Sequence, residues 1–311
     1  MEFYHRPVMP VEVDRFLECK AGGTYVDGTL GGGGHAEAIL AASAPDGRLI
    51  GIDWDEEALL YARERLKPYA GRVEFVKGNF ANIKGILRSL EVDKVDGILL
   101  DLGVSSRHLE KPERGFSFQY DAPLDMRMDR EGATTACDLV NGLPQEELRE
   151  LLKKYGDERW AKRIAMIIVR TRQESPIRTT KELADIVSFA IPRKHHPRSR
   201  HPATKTFLAL RIAVNREIEN LEAALHDGIG LLYHGGRMVV ITFHSLEDRI
   251  VKNAFRQFTG GCVCPSDTPY CVCKRRSEVR ILTRKALTPS QEEIEGNPRA
   301  RSAKLRAVVK I

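Results

Sequence analysis

The fold is decided by the stretch TYVDGTLGGGGH, which runs from Thr24 to His35. A short apolar run ends in a carboxylate, Asp27, and passes directly into a glycine-rich turn, after which Ala, Ile and Leu recur as in a helix. Similar apolar runs, separated by helical patterns, follow at residues 48–53, 73–76 and 95–101. Strands that alternate with helices at this spacing predict βαβ units, a parallel sheet and right-handed crossovers.

The alternation stops after Asp101, and residues 102–135 have no regular pattern. Beyond Pro144 the apolar residues take helical spacing, which predicts helices over 146–155, 159–173, 180–190 and 207–225. Strand character returns at 237–243, a helix follows at 247–258, and residues 278–283 and 305–311 can supply the last strands. We therefore predict an α/β core of residues 1–105 and 215–311, interrupted by an all-helical domain over 106–214 that is large enough for its own core.

The composition is that of a globular protein, with 311 residues, 42% hydrophobic and 30% charged. No stretch approaches the roughly 18 apolar residues of a membrane span. The first residues have no basic region followed by an apolar block, so they do not resemble a secretory signal. These features lead us to expect a cytoplasmic protein that does not enter a membrane.

Positive charge is concentrated in two places. The formal net charge is +6, yet residues 274–311 alone carry 11 Lys and Arg against four Glu. Residues 193–201 carry four basic residues, three histidines and no acid. Clustered charge of this kind attracts phosphate backbones, although solvated basic surfaces are the plainer interpretation. The candidate RNA contacts are Arg193, Lys194, Arg198, Arg200, Arg299 and Arg301.

Four of the six cysteines form two C-x-C pairs. In a reducing compartment such pairs are more often metal ligands or free thiols than disulfides. The spacing is tighter than the C-x2–4-C of structural zinc sites, so we assign no metal. The sequence leaves zinc binding open for Cys262, Cys264, Cys271 and Cys273.

Carboxylates follow three of the predicted strands, at the edge where open α/β sheets bind ligands. Asp27, Asp53 and Asp101 occupy these positions. The glycine loop, including Gly31, lets the backbone approach a ligand closely. Asp53 lies 20 residues beyond Gly33, where its carboxylate can accept hydrogen bonds from both hydroxyls of a ribose.

Two cofactors fit this pattern. GGGGHA over residues 31–36 matches the dinucleotide fingerprint G-x-G-x-x-A, which suits a nicotinamide cofactor. Asp27 and Asp101 favour S-adenosylmethionine instead, because a pyrophosphate is repelled by carboxylates that a cationic methionyl group attracts. Ordinary turn residues remain the alternative, although three acids on one edge count against it.

Six motifs resemble the RsmH (MraW) family, in order and over essentially the whole chain from Tyr4 to Arg306. They are DGTLGGGGH at 27–35, DLGVSS at 101–106, PLDMRMD at 123–129, ALRIAVN at 209–215, FHSLEDR at 243–249 and NPRARSAKLR at 297–306. The resemblance implies a class I methyltransferase that transfers a methyl group from S-adenosylmethionine to the exocyclic N4 of a cytidine in bacterial 16S ribosomal RNA. It implies cofactor contacts at Gly33, Gly34, His35, Asp53, Phe80, Asp101 and His108. From the sequence alone, we would interpret His108 as a histidine of a surface loop.

The proton acceptor is the least defined part of the site. Many amino-methyltransferases carry an Asp/Asn/Ser-Pro-Pro-Tyr/Phe loop after the fourth strand, where this chain has DLGV at 101–104. We expect Asp101 or Asp125 to accept from N4, with Asp129 and His244 as further candidates. The alternative for residues 125–129 is a structural ion-pair loop.

Two other functions are compatible with the sequence. One is a nicotinamide-dependent oxidoreductase, and the other is a non-enzymatic RNA-binding assembly factor that keeps a cofactor fold. The partner we expect is 16S ribosomal RNA within the small subunit. The sequence leaves a homodimer open.

Overall fold

The computed structural model describes residues 6–103, 111–197, 200–260 and 276–311. The chain forms two compact units. We call Met1–Gly103 together with Glu219–Ile311 the core unit, and Val104–Ile218 the helical unit. Among the described residues, no helix is both long enough and apolar enough to cross a membrane.

The core unit contains a seven-stranded sheet in the order β3-β2-β1-β4-β5-β7-β6. Its first five strands run parallel, whereas β7 is antiparallel to both β5 and β6. This confirms the predicted Rossmann-like α/β fold. The strands are β1 Thr24–Asp27, β2 Arg48–Asp53, β3 Val73–Lys77, β4 Val95–Asp101, β5 Leu232–Thr242, β6 Val279–Ile281 and β7 Lys304–Lys310.

The helices fall before, within and after the helical unit. They are α1 Pro10–Leu17, α2 Gly34–Ala42, α3 Glu56–Arg65, α4 Ile83–Ser89, α5 Ala136–Gly142, α6 Gln145–Gly156, α7 Ala161–Glu174, α8 Thr180–Ala190, α9 Thr204–Asn215, α10 Glu217–Leu231, α11 Ser245–Phe258 and α12 Gln291–Gly296. The sequence patterns do not predict the helices at residues 10–17, 136–142 and 291–296.

The central strands are apolar throughout because both faces of the sheet are covered. Val26 of β1 and Ile98 of β4 belong to one buried cluster, while Tyr25 and Leu99, their neighbours along the chain, belong to the other. Successive side chains of a strand point to opposite faces, so a sheet packed on both faces requires a nearly unbroken apolar run. The same packing fixes the register that brings the strand ends together.

Helices α5 to α9 make up most of residues 136–215 of the helical unit, whereas the helical structure described in residues 111–135 is the 3-10 turn Pro112–Arg114. Helix α6 packs against α7 and α9, and α7 packs against α8. The buried side chains of these helices recur four residues apart, which places them on one face of each helix. They include Leu148 and Leu152 of α6, Ile164 and Ile168 of α7, and Leu183 and Val187 of α8.

The single helix predicted over 207–225 is wrong, because α9 ends at Asn215 and α10 begins at Glu217. Arg216 between them has φ +49°, a left-handed conformation that stops a helix. The break is held by Arg211, whose Nε and Nη2 each donate to the Glu217 carboxylate at 2.8 Å. No glycine or proline marks this position, so the pattern of apolar residues runs through it.

Candidate active site

The strand register gathers the three predicted carboxylates at one edge of the core unit. Asp27, the last residue of β1, lies opposite Gly51 of β2 and Leu99 of β4. Asp53 and Asp101 each follow two residues further along their own strands. The parallel sheet therefore places all three at the carboxyl end, as the sequence predicts.

The glycine loop turns from β1 into α2 over this edge. Gly31 and Gly33 have φ of +49° and +77°, which side chains rarely adopt. A Cβ on Gly28 would lie 2.6 Å from Cδ2 of Leu100, so the loop also packs too closely on β4 for a larger residue. Gly33 precedes α2 without a side-chain cap, so the first turn of the helix, which includes Gly34, keeps backbone N–H groups for a ligand.

Asp53 holds the loop in this shape. One of its carboxylate oxygens accepts from the backbone N–H of Gly31 at 2.8 Å, and the other accepts from that of Asp55 at 2.9 Å. A carboxylate oxygen can accept more than one hydrogen bond, so Asp53 retains capacity for ribose hydroxyls. The residue thus connects the loop to the end of β2.

Asp27 is only 1% exposed, and burial raises its pKa to about 6. Nearby His35 and a hydrogen bond from the Thr29 backbone oppose this increase, while the charges of Asp101 and Asp53 add to it. A buried carboxylate with this pKa is partly protonated in weak acid. A bound cation would favour its ionised form.

His35 and Asp101 form a buried pair beside the loop. Nε2 of His35 lies 3.5 Å from Oδ2 of Asp101, and His35 is 6% exposed. Within the described ranges, neither ring nitrogen of His35 nor Oδ1 of Asp101 has a hydrogen-bond partner. Buried polar atoms are rarely left in this state, so these atoms indicate that a polar ligand completes the site.

Thr29 is a residue of this site that the sequence analysis did not select. Its hydroxyl accepts from the backbone N–H of Asp101 at 2.6 Å and lies 3.4 Å from Oδ1 of Asp27, while its own N–H donates to Asp27. The residue therefore joins the ends of β1 and β4. Its position in the turn directly after Asp27 and Gly28 could have identified it, because the hydroxyls of turn residues commonly form hydrogen bonds with the neighbouring backbone.

Phe80 is largely buried and begins a short 3-10 turn after β3. Asn79 accepts from the backbone N–H of Ala81, and the N–H of Gly78 donates to the carbonyl of Asp53. These bonds fix the segment next to the end of β2. The position is consistent with the adenine contact that the family resemblance implies.

The site fits S-adenosylmethionine better than a dinucleotide. Three carboxylates surround the loop, and a pyrophosphate would bring two more negative charges beside them. The cradle of glycines, the carboxylate of Asp53 and the unpartnered atoms of His35 and Asp101 fit a cofactor with ribose hydroxyls and a cationic end. His108, the remaining predicted contact, lies outside the described residues.

Asp125 belongs to the helical unit and is paired at both oxygens. Nε of Arg127 donates to Oδ1 at 2.7 Å and Nη2 donates to Oδ2 at 2.8 Å. Partial burial raises the pKa of Asp125, but the hydrogen bonds and charge of Arg127 outweigh it and leave the pKa below its usual range. Arg127 also donates to the carbonyls of Arg130 and Gly132. This geometry is that of a structural ion-pair loop, the alternative given above for residues 125–129.

The two further acceptor candidates also have local structural partners. Asp129 accepts from the backbone N–H of Glu131 in an exposed turn. His244 caps the start of α11, where its Nε2 lies 3.0 Å from Oε1 of Glu247. Neither contact requires a role in catalysis.

The candidate RNA contacts are divided between the two units. Arg193, Lys194 and Arg200 are exposed on the helical unit, and Arg299 and Arg301 are exposed on a 3-10 turn of the core unit. In the basic tail, by which we mean residues 274–311, Arg306 is buried in β7 and pairs with Asp248 at 2.7 Å, so this residue has a structural role. Arg198, Cys262, Cys264, Cys271 and Cys273 lie outside the described residues.

Comparison with known proteins gives a match over the whole chain. The model of the MraW methylase family matches residues 2–311. Proteins named ribosomal RNA small subunit methyltransferase H are similar at full length. The one from Geobacter sp. (strain M21) is 55% identical, covering 100% of this chain and 99% of the relative. The one from Citrifermentans bemidjiense is 54% identical with the same coverage, and the one from Geobacter sulfurreducens is 55% identical over 100% of both chains.

The fold, the glycine loop and its carboxylates agree with this match, which covers residues 2–311. The chain belongs to the MraW methylase family.

Proposed function

We propose that this protein transfers a methyl group from S-adenosylmethionine to the exocyclic N4 of a cytidine in 16S ribosomal RNA. The observation that carries the proposal is the glycine loop together with Asp27, Asp53 and Asp101 at the end of the sheet, which we call the cradle, in a chain of the MraW methylase family. The partner is the RNA within the small ribosomal subunit, in the cytoplasm. S-adenosylmethionine supplies an electrophilic methyl group on a cationic sulfur.

The residues of the cradle have distinct tasks toward this cofactor. Asp53 accepts from the ribose hydroxyls while it holds the loop, and Gly31, Gly33 and Gly34 leave room for close backbone approach. The negative charge of Asp27 and Asp101 attracts the cationic methionyl end. Phe80 contacts the adenine, and His35 supplies a buried ring nitrogen to the polar groups of the cofactor.

Asp101 is our choice for the group that accepts from N4. The lone pair of a cytosine amine is delocalised into the ring, so an acceptor must localise it and take a proton during transfer. Oδ1 of Asp101 is buried, and the described residues give it no hydrogen-bond partner. Asp125 is the second candidate, because Arg127 already occupies both of its oxygens.

The RNA must present the cytidine unpaired or flipped out, because a stacked base cannot reach a donor in a cleft. We propose that the helical unit recognises the substrate, with Arg193, Lys194, Arg198 and Arg200 binding phosphates there and Arg299 and Arg301 binding them on the core unit. The exposure of the described members supports this task.

The test of the proposal is transfer of labelled methyl groups from S-adenosylmethionine to small ribosomal subunits that lack the modification. Naked 16S RNA and protein without RNA are the controls. Label recovered as N4-methylcytidine supports donor, reaction and base together. Cofactor binding without label on any substrate would favour a non-enzymatic assembly factor, and thermal stabilisation by a nicotinamide dinucleotide alone would favour an oxidoreductase.

Binding of S-adenosylmethionine should strengthen as the pH rises to about 6 and then level off. The pKa of Asp27 is about 6 in the folded protein, and the cation favours its ionised form. At pH 5 we expect affinity about tenfold weaker than at pH 7, because one pH unit corresponds to a factor of ten. Calorimetric titration of the wild type and of Asp27→Asn between pH 5 and 8 measures this. If the affinity of Asp27→Asn depends on pH as strongly as that of the wild type, the pH dependence belongs to another group.

The raised pKa of Asp27 also makes the free energy of unfolding depend on pH. The unfolded chain ionises Asp27 near pH 3.9, so between about pH 4 and 6 the folded protein binds more protons than the unfolded chain. The contribution of Asp27 to the free energy of unfolding is therefore fully present below pH 4 and lost as the pH rises through 6. Asp27→Asn should remove this contribution from the pH profile of the melting temperature.

Neutralising Arg193 and Lys194 together should flatten the salt dependence of RNA binding. Both side chains are exposed on one short turn of the helical unit. Each contact to a single-stranded phosphate contributes about 0.7 to the slope of log K against log salt, so the double alanine variant should lose about 1 to 1.5. Arg149→Ala is the control, because Arg149 already pairs with Glu146 and Glu150. An unchanged slope would remove this turn from the interface.

A further inference from the structure

A cavity of about 190 Å³ lies within the helical unit, and the residues that line it all belong to that unit. It lies where α7 and α9 begin and where the chain leaves α8. The side chains that matter here are those of Glu158, Arg159, Trp160, His195, Arg200 and Lys205. The methyl-transfer site described above uses none of them except Arg200, which is a candidate phosphate contact.

The charge of the cavity suits an anion. Three basic side chains line it, against the single carboxylate of Glu158. That carboxylate is 6% exposed and is engaged within the wall, where it accepts from the backbone N–H of Trp160 at 2.9 Å. Helices α7 and α9 both begin at the wall without a side-chain cap, which adds the positive ends of two helix dipoles. Together these features provide a site for a phosphate group.

Aromatic rings form another part of the wall. The centroids of Trp160 and His195 lie 5.2 Å apart with the ring planes tilted by 43°. Trp160 is half-buried and His195 is exposed, so the pair presents ring surface to the cavity while the protein holds one member in place. Bases of single-stranded RNA stack on such surfaces, and this is the usual way in which proteins bind unpaired nucleotides.

The volume limits what can enter. Pockets that enclose drug-sized ligands begin at about 300 Å³. A cavity of about 190 Å³ is therefore too small for a complete cofactor and limits the occupant to a single nucleotide, whose base or phosphate group it can enclose. A paired base is stacked between its neighbours and cannot insert alone, so the occupant is unpaired.

We propose that this cavity binds one unpaired nucleotide of the RNA substrate, with its base against Trp160 and His195 and its phosphate beside Arg159 and Arg200. The inference rests on the proposed function. Residues of the core unit form the cofactor site, and residues of the helical unit form this cavity.

The intrinsic fluorescence of Trp160 provides a direct test, because the chain has only two tryptophans, Trp54 and Trp160. A short unstructured oligoribonucleotide should quench the wild-type protein, and Trp160→Phe should remove that quenching while it keeps most of the affinity. Trp160→Ala should weaken RNA binding by about 5- to 150-fold, the range for loss of one stacked base. Phe189→Ala is the matched control, because Phe189 is 73% exposed on α8 and does not line the cavity.

Two results would overturn the assignment. The first is RNA binding without quenching of Trp160, with affinity unchanged in Trp160→Ala. The second is competition by inorganic phosphate or by duplex RNA as strong as that by the single strand, which would make the cavity an anion site only. Circular dichroism of each variant separates loss of binding from loss of folding, and Trp160→Phe provides a readout that does not depend on the alanine variant.

The outcomes also separate this inference from the proposed function. If the wild type methylates small subunits and Trp160→Ala has an unchanged KM for them, the inference fails and the function stands. If oligoribonucleotides quench Trp160 while the wild type transfers no methyl group, the proposed function fails and the cavity remains a nucleotide site.

Discussion

Asp101→Asn should lower kcat for methyl transfer by about 10²- to 10⁴-fold, the range that general-base catalysis contributes. The amide keeps the size of the side chain but cannot take a proton from N4. The backbone N–H of Asp101 still donates to Thr29, so the end of β4 keeps its connection to the loop. Single-turnover rates at saturating S-adenosylmethionine measure the effect, and calorimetry shows whether the cofactor still binds.

Asp125→Asn is the matched carboxylate control for this experiment. It removes part of the pairing with Arg127, so we expect a lower melting temperature with little change in the single-turnover rate of the folded protein. The pair is only partly buried, so the loss of stability should be modest. The reverse pattern, a slow Asp125→Asn and an active Asp101→Asn, would transfer the acceptor role to Asp125.

Asp53→Ala should weaken binding of S-adenosylmethionine by about 10²- to 10⁴-fold. The substitution removes two hydrogen bonds from ribose hydroxyls to a charged acceptor, each worth about 1.5–3 kcal/mol, and a factor of ten in affinity is about 1.4 kcal/mol. It also frees the backbone N–H groups of Gly31 and Asp55, so the loop loses its attachment to β2. Equilibrium binding of the cofactor without RNA measures this effect directly.

Asp46 provides the control, because it precedes β2 whereas Asp53 ends it. Asp46 accepts from the backbone N–H of Gly22 at the opposite end of the sheet, so Asp46→Ala changes a comparable hydrogen bond far from the cradle. We expect its cofactor affinity to equal that of the wild type. Equal losses in both variants would mean that destabilisation of the sheet, rather than contact with the ribose, explains the result.

The sheet could be predicted because local patterns determine it. Strands β1, β2 and β4 have the predicted bounds, since an apolar run between two helical patterns has few alternatives in a sheet covered on both faces. Their terminal carboxylates then follow from the geometry of parallel strands. Asp53 and Asp101 were accessible to sequence reasoning for that reason.

Features that depend on the geometry of particular side-chain pairs could not be predicted in this way. The break at Arg216 is accompanied by the Arg211–Glu217 ion pair, and no glycine or proline signals it. The burial of His35 beside Asp101 joins two positions 66 residues apart. The pairing of Asp125 with Arg127 was foreseen only as an alternative, because sequence shows that two charges are near each other but not whether their geometry satisfies both.

The basic tail shows the limit of counting charges. Residues 274–311 carry 11 Lys and Arg against four Glu, an excess of positive charge that predicts a phosphate-binding segment. Within it, Lys304 and Arg306 belong to β7 and pair with Asp248, whereas Arg299 and Arg301 stay exposed. Only the structure separates the paired charges of the sheet from the exposed ones.

The order of strands has a consequence for biosynthesis. Strand β4 pairs with β5, yet Asp101 and Leu232 are 131 residues apart because the helical unit is translated between them. At about 5–20 residues per second, the edge of β4 waits roughly 7–26 s on the ribosome for its partner. An unpaired apolar strand edge is a template for aggregation, so chaperones that bind nascent chains should matter most during this interval. The helical unit can complete its own packing in that time, before β5 pairs with β4 and completes the centre of the sheet.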